Sequence, residues 1–331
     1  MKRHGNIYEK IYSMDNLRLA HRNAKRDKSH YREVKMVDSN PEFYLKIIQD
    51  MLDSETYQVS AYKVSKINDK GKERELYKLP YFPDRIIQWA IMLQIEPIFM
   101  EVFTGFTCAS IGGRGIHKAS KLLDRYMKDK DGTQYCLKID VKKFYPNIDH
   151  TILKSLLRRK IKDTQLLSIL GKVIDSMPGG KGVPIGSYLS QYFGNFYLAY
   201  FDHWLKETVK IRYVIRYMDD VVILHSSKLF LHETVREIKR YLMSELKLSL
   251  KENWQVFPTA IRGIDFVGYR HFYGYKLLRK STCKSFKGKM LSLKRLDNLS
   301  DYDRLSIFSY LGWLKWCDGW RLREKYIGGL L

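Results

Sequence analysis

The stretch "IRYMDDVVIL", residues 215–224, constrains this chain more than any other, because two aspartates stand side by side between two short apolar runs. Adjacent carboxylates in such a setting repel each other and lose hydration, at a cost of roughly several kcal/mol unless a cation or a proton relieves it. The flanking runs "RYVIRYM" and "VVILH" read as short strands, which places Asp219 and Asp220 at a hairpin tip facing an open cleft. Something positive is expected there.

A third carboxylate has a comparable setting. In "QYCLKIDVKKFYPNIDH", Tyr135, Leu137, Ile139 and Val141 alternate with Cys136, Lys138 and Asp140, a strand whose polar face ends in acid. If this strand neighbours the hairpin in one antiparallel sheet, three carboxylates converge, a set that suits hard divalent cations. Two such ions could activate a 3′-hydroxyl and stabilise leaving pyrophosphate. A lone Asp-Asp pair is most often a solvated turn; apolar strands on both sides and a third aspartate bring the metal reading level with that one.

Charge identifies the class of partner. With 59 Lys plus Arg against 36 Asp plus Glu, the chain carries +23 and gathers polyanions, nucleic acid first and an anionic membrane surface second. The excess concentrates at the ends: residues 270–331 hold fourteen basic and five acidic side chains, residues 1–35 ten and four. Rings available for stacking on bases are abundant, with 24 Tyr, 15 Phe and 6 Trp. Four widely spaced cysteines without a CxxC exclude a zinc ribbon and fit reduced thiols of the cytoplasm. The start has no apolar signal core, and no apolar run approaches about 18 residues, so secretion and membrane spanning are not expected.

Along the chain, residues 1–60 read as helices, with a cap and first turn at Asn40-Pro41. A hairpin is expected around "NDKGKER", then an apolar helix stopped by Pro97. The next amphipathic helix has Ile116, Ala119, Leu122, Leu123 and Tyr126 on its inner stripe. The aromatic run "SYLSQYFGNFYLAYFDHWL" predicts a well-buried helix. A strand pair is expected around "IDFVGYRHF", and helices in the basic tail from 276 onward.

The chain resembles the reverse transcriptases, whose hallmark of an aromatic residue, any residue and two aspartates fits Tyr217–Asp220. From about residue 60 the motifs follow in family order: "KLPYFPDRIIQWAI" and "ASIGGRGIH" resemble the two fingers blocks, "KIDVKKFYPNIDH" the first palm aspartate block, "GVPIGSYLSQ" the template-gripping block, "FVGYR" the primer grip and "YLGWLKW" the thumb. Six ordered matches are far more specific than any one. The implied fold is α+β, a right-hand polymerase with fingers, a ferredoxin-like antiparallel palm sheet and a small helical thumb. The implied boundaries are an N-terminal helical extension over 1–60, fingers 61–135, palm 136–270 with fingers helices partly inserted at 150–180, and thumb 271–331.

Carried over by motif, the resemblance implies Asp140, Asp219 and Asp220 as catalytic carboxylates holding two Mg2+ ions, with the backbone carbonyl of Val141 as a further metal contact. Tyr145 matches the steric gate, whose ring collides with a ribose 2′-hydroxyl and so favours deoxynucleotides. Arg114 matches a fingers arginine near the incoming triphosphate, where a guanidinium fork suits phosphate; Arg74 and Lys78 are candidates for the same contact, and Ile185 and Gly186 line the nucleotide. Ser190, Gln191, Tyr217, Met218, Phe266, Gly268 and Tyr269 are implied contacts of template or primer. Lys251 is the candidate proton donor to pyrophosphate, displaced from the family's usual lysine position.

One departure narrows the branch. Many reverse transcriptases have Gln-Gly-x-x-x-Ser-Pro in the template block, whereas residues 185–191 read Ile-Gly-Ser-Tyr-Leu-Ser-Gln, a form that resembles the enzymes of bacterial and phage diversity-generating retroelements. That branch implies error-prone copying of a template-repeat RNA opposite adenine, with an RNA or cDNA primer, deoxynucleoside triphosphates and a pentameric four-helix accessory protein as partners. Ile185 offers none of a glutamine's polar contacts to the incoming nucleotide, so a misaligned pair loses less relative to a correct one. The alternatives are a retron or phage-defence reverse transcriptase and, from another class, an RNA-binding scaffold without catalysis.

Overall fold

The computed structural model describes residues 2–69, 72–184 and 186–330. Its first elements are helices α1 (Tyr8–Ile11), α2 (Met14–Ala24), α3 (Arg32–Ser39) and α4 (Pro41–Asp53). Ser13 caps α2 by accepting from Asn16 N, and Asn40 caps α4 by accepting from Phe43 N, with Pro41 at the first position, where a missing N–H costs nothing. Strands β1 (Lys63–Asp69) and β2 (Lys72–Lys78) form an antiparallel hairpin with Lys63 opposite Lys78. Helix α5 (Ile86–Met100) corrects the sequence reading, which stopped it at Pro97. A proline this near the end forfeits one hydrogen bond, and the additional turn buries Ile98 and Phe99.

After α6 (Ile116–Tyr126) come β3 (Tyr135–Asp140), α7 (His150–Arg158) and α8 (Thr164–Asp175), the last two capped by Asp149 and Asp163. The aromatic run forms two helices, α9 (Tyr188–Tyr197) and α10 (Ala199–Glu207), divided at Leu198. Strands β4 (Tyr213–Tyr217) and β5 (Asp220–His225), helix α11 (Lys228–Leu246), strand β6 (Gln255–Pro258) and helix α12 (Thr259–Arg262) follow. Three short strands, β7 (Ile264–Phe266), β8 (Tyr269–Phe272) and β9 (Tyr275–Leu278), precede α13 (Lys280–Leu293), α14 (Asp301–Leu314) and α15 (Trp320–Ile327).

The chain divides into two compact units, one of Met1–Thr104, Val141–Trp204 and Lys239–Ser249, the other of Gly105–Asp140, Leu205–Ile238 and Leu250–Leu331. In the first, α5 is apolar all round and therefore interior, with Ile87, Ala90, Ile91, Ile95 and Phe99 buried. Trp89 stacks on Tyr188 at 4.3 Å, which ties α5 to the start of α9.

The second unit is built on a four-stranded antiparallel sheet in the order β4-β5-β3-β6. With helices between β3 and β4 and between β5 and β6, its sequence order is βαββαβ, the ferredoxin-like arrangement. Strand β6 was not legible in the sequence, because "QVFP" is too short to show a period. Ala119 and Leu123 of α6 pack on the sheet face that carries Cys136, Ile215, Val222 and Leu224. A second sheet, β7-β8-β9, contributes Tyr269 and Leu278 to a core shared with Phe286, Met290 and Ile307 of the C-terminal helices.

Candidate active site

Register brings the acids together. Strands β3 and β5 pair antiparallel from Tyr135 opposite His225 to Asp140 opposite Asp220, so the last residue of one strand faces the first of the other. Strand alternation puts Lys138 on the same face as Asp140. Tyr217 pairs with Asp220, leaving Met218 and Asp219 as a two-residue hairpin tip, with Met218 in the left-handed region at φ 58°. The buried guanidinium of Arg216 donates to Met218 O at 2.9 Å and fixes that tip. Sequence reading missed Arg216; the signal was a lone arginine inside an apolar strand, which must be paired to be tolerated.

The electrostatics are those of crowded acid. Burial, then the charge of Asp140, push Asp219 up to about 6. Burial also raises Asp220, with Asp140 adding to the shift and Lys138 opposing it. Two lysines partly offset the crowding: Lys251 Nζ lies 2.6 Å from Asp140 Oδ2, and Lys138 Nζ 3.4 Å from Asp220 Oδ2. Lys251 is held there by its own backbone, whose N–H donates to Asp140 O at 2.9 Å.

The other oxygens, Asp140 Oδ1 and Asp220 Oδ1, are buried without a hydrogen-bond partner. Buried acceptors left unmatched cost free energy, and anionic oxygen donors facing one another are what a divalent cation ligates, so the residues fit Mg2+. Among the described residues no three acidic, His or Cys side chains are already closed around one point.

Residues 62–271 match the family model described as reverse transcriptase (RNA-dependent DNA polymerase). The chain belongs to that family. It is an RNA-directed DNA polymerase by class. Among curated proteins it is 26% identical over 269 residues to Protein YkfC of Escherichia coli K12, covering 68% of this chain and 70% of that protein. It is 27% identical over 168 residues to the group II intron-encoded protein LtrA of Lactococcus lactis, covering 48% of this chain but 28% of LtrA. Among solved structures, telomerase of Candida albicans in complex with a fragment of telomeric RNA shares the fold, with a TM-score of 0.52, 12% identity, and coverage of 73% of this chain and 52% of that one. The reverse transcriptase therefore spans less than a third of the intron protein and about half of the telomerase chain.

Elsewhere in the first unit, Tyr145 is half-buried and its carbonyl accepts from Val183 N at 3.2 Å, while Gly182 N donates to Ile148 O at 2.8 Å. These bonds seat the residues from Gly182 onward against the segment that carries Tyr145. Gly182 needs its freedom: at φ 87°, a Cβ there meets Pro146 O at 3.3 Å. Ile185 lies outside the described residues, as does the side chain of Arg74. Gly186 has φ 104°, Ser190 is buried at the start of α9, Gln191 is half-buried, Lys78 is exposed on β2 and Val141 is buried.

In the second unit, Arg114 precedes α6 and donates through Nη1 to Thr107 O at 2.8 Å. Tyr217 is half-buried beside the tip. Phe266 and Tyr269 are both fully buried, filling the two cores on either side of the β7-β8 turn. What the turn presents is backbone, Val267 at φ 43° and Gly268 at φ 90°. No helix among the described residues is long and apolar enough to cross a membrane.

Proposed function

We propose that this reverse transcriptase copies the template RNA of a diversity-generating retroelement into complementary DNA with errors concentrated opposite adenine. The observation carrying the catalytic part is Asp140 paired in register with Asp220, beside Asp219 at the hairpin tip. The branch rests on the template block, which reads Ile185-Gly186-Ser187-Tyr188-Leu189-Ser190-Gln191. In this reading residues 61–135 act as fingers, 136–270 as palm and 271–331 as thumb. A bacterial or phage source and a pentameric four-helix accessory protein belong to the same reading.

Asp140, Asp219 and Asp220 would hold Mg2+, with the Val141 carbonyl as a further ligand. When bound, the ions favour the ionised primer hydroxyl and balance charge on pyrophosphate. The protein's own groups do the remaining work. Tyr145 excludes a 2′-hydroxyl, and Lys251 carries a proton within reach of the carboxylate cluster for delivery to the leaving group. Ile185, where many reverse transcriptases have glutamine, offers the incoming nucleotide no polar contact, and the weaker discrimination lowers fidelity. The matched intron-encoded relative favours a second reading, an enzyme that copies and assists its own intron RNA.

Primer extension with Mg2+ on an adenine-rich RNA, followed by sequencing of the product, tests these readings. Wild type extends, Asp219→Ala loses at least about a thousandfold in rate, and errors cluster opposite adenine and diminish in Ile185→Gln. Equal activity of wild type and Asp219→Ala sinks the polymerase site. Uniformly faithful DNA removes the retroelement assignment alone, and stimulated splicing of a group II intron supports the second reading.

A further inference from the structure

A cavity of about 710 Å3 within the second unit runs along α6 from Arg114, the expected triphosphate contact, and its wall further includes His117, Lys118, Lys121, Arg125 and Lys206 but no carboxylate. We propose that it is a second nucleic-acid site, gripping the sugar-phosphate backbone of RNA that lies outside the catalytic centre. The sequence of α6 points to an anion from several directions. Its first turn holds no acidic residue, its N-cap Gly115 offers no side-chain cap, and Lys118 sits in that turn, where the helix dipole disfavours a cation. Lys118, Lys121 and Arg125 follow one another at spacings of three and four residues, so neighbouring like charges on this face repel.

Nothing on the helix neutralises them. Asp124, its one acidic residue, is turned to the other side, accepting from Lys276 Nζ at 2.7 Å and lying 2.7 Å from His271 Nδ1. Lys121 Nζ sits 4.6 Å over the ring of Trp316, and partial burial lowers the pKa of Lys206, whose Nζ donates to Arg212 O at 2.7 Å. Cations kept together at such cost are stabilised when a polyanion enters. From Lys118 to Arg125 the row extends about 10 Å along the helix, which matches about three stacked nucleotides of one strand better than one small anion.

The test compares wild type with Lys118→Glu/Arg125→Glu and with the charge-conserving Lys118→Arg/Arg125→Lys. Fluorescence anisotropy follows a labelled stem-loop RNA of about 60 nucleotides over a salt series, and primer extension uses an unstructured template of about 20 nucleotides. The reversed variant should lose at least about tenfold in stem-loop affinity, with the slope of log affinity against log salt shallower by about 1.5. Extension rate and dNTP KM on the short template should stay within about twofold, and the conserving variant should bind like wild type. Unchanged affinity overturns the proposal. So does a loss expressed as raised dNTP KM, or protection of these lysines from acetylation by inorganic phosphate alone as well as by RNA. Because the short template reports only the catalytic centre, failure here is distinguishable from failure of the polymerase reading.

Discussion

Lys251 Nζ lies 2.6 Å from Asp140 Oδ2, and the same lysine's N–H donates to the carbonyl of the same aspartate. The side chains are each about 35% exposed, so the ion pair contributes at most about 1 kcal/mol to stability. Its value is positional: an ammonium proton is kept beside the carboxylates. Lys251→Met should leave the melting temperature within about 2 °C and primer KM unchanged, while kcat falls about 10²- to 10³-fold. Lys251→Arg, which keeps the charge but holds its proton too tightly, should be nearly as slow. A Met variant within threefold of wild type in kcat rules out proton donation.

Lys138 links two parts of the second unit. Its Nζ donates to Asp265 O on β7 at 2.7 Å and lies 3.4 Å from Asp220 Oδ2, while Arg279 Nε lies 2.5 Å from Asp265 Oδ1. Removing the amine leaves Asp220 crowded and β7 untethered. Lys138→Met is expected to raise primer KM at least fivefold and to lower kcat by about tenfold, with Lys138→Arg recovering most of the primer affinity. Steady-state kinetics with saturating nucleotide separates the two effects, and a pure stability loss would move neither parameter in the surviving folded fraction.

At Gly268 the turn between β7 and β8 admits no side chain. Its φ is 90°, and a Cβ would come within 2.4 Å of the Trp313 ring. Gly268→Ala should cost about 2–4 kcal/mol, the sum of backbone strain and overpacking. Adding Trp313→Leu should relieve the clash and leave the strain. Urea unfolding of single and double variants measures both, and a destabilisation under about 1 kcal/mol contradicts the geometry.

Asp163 accepts from Ile7 N at 2.7 Å, Tyr8 N at 3.0 Å and, as the N-cap of α8, Leu166 N at 3.0 Å. Burial pushes its carboxyl up, but the bonds from Ile7, Leu166 and Tyr8 outweigh that and hold it below the usual range. A depressed native value means the stabilisation is fully present above the unfolded value, about 3.9, and is lost as pH falls through the native one. Asp163→Ala should therefore cost about 1–2 kcal/mol at pH 7, and the gap from wild type should narrow below about pH 4. Urea midpoints at both pH values check it; a pH-independent gap argues against the charge.

The sequence by itself determined the acids and the strands that carry them, because period-2 alternation and ordered short motifs are local properties that a single strand displays. The cap at Asn40-Pro41 and the hairpin around Asp219 were legible for the same reason. Helix α5 outran Pro97, and "QVFP" became a strand of the central sheet, because burial of Ile98 and Phe99 and pairing with β3 are decided by distant residues. Lys138 gave no chemical signal in a basic chain, and Lys251 only a displaced match to the family. Their reach to Asp220 and Asp140 exists because the fold aligns strands 79 residues apart and returns the segment after α11 to the end of β3. Strand register and the direction of a long cationic side chain are properties of packing, and packing is where local pattern gives way to tertiary structure.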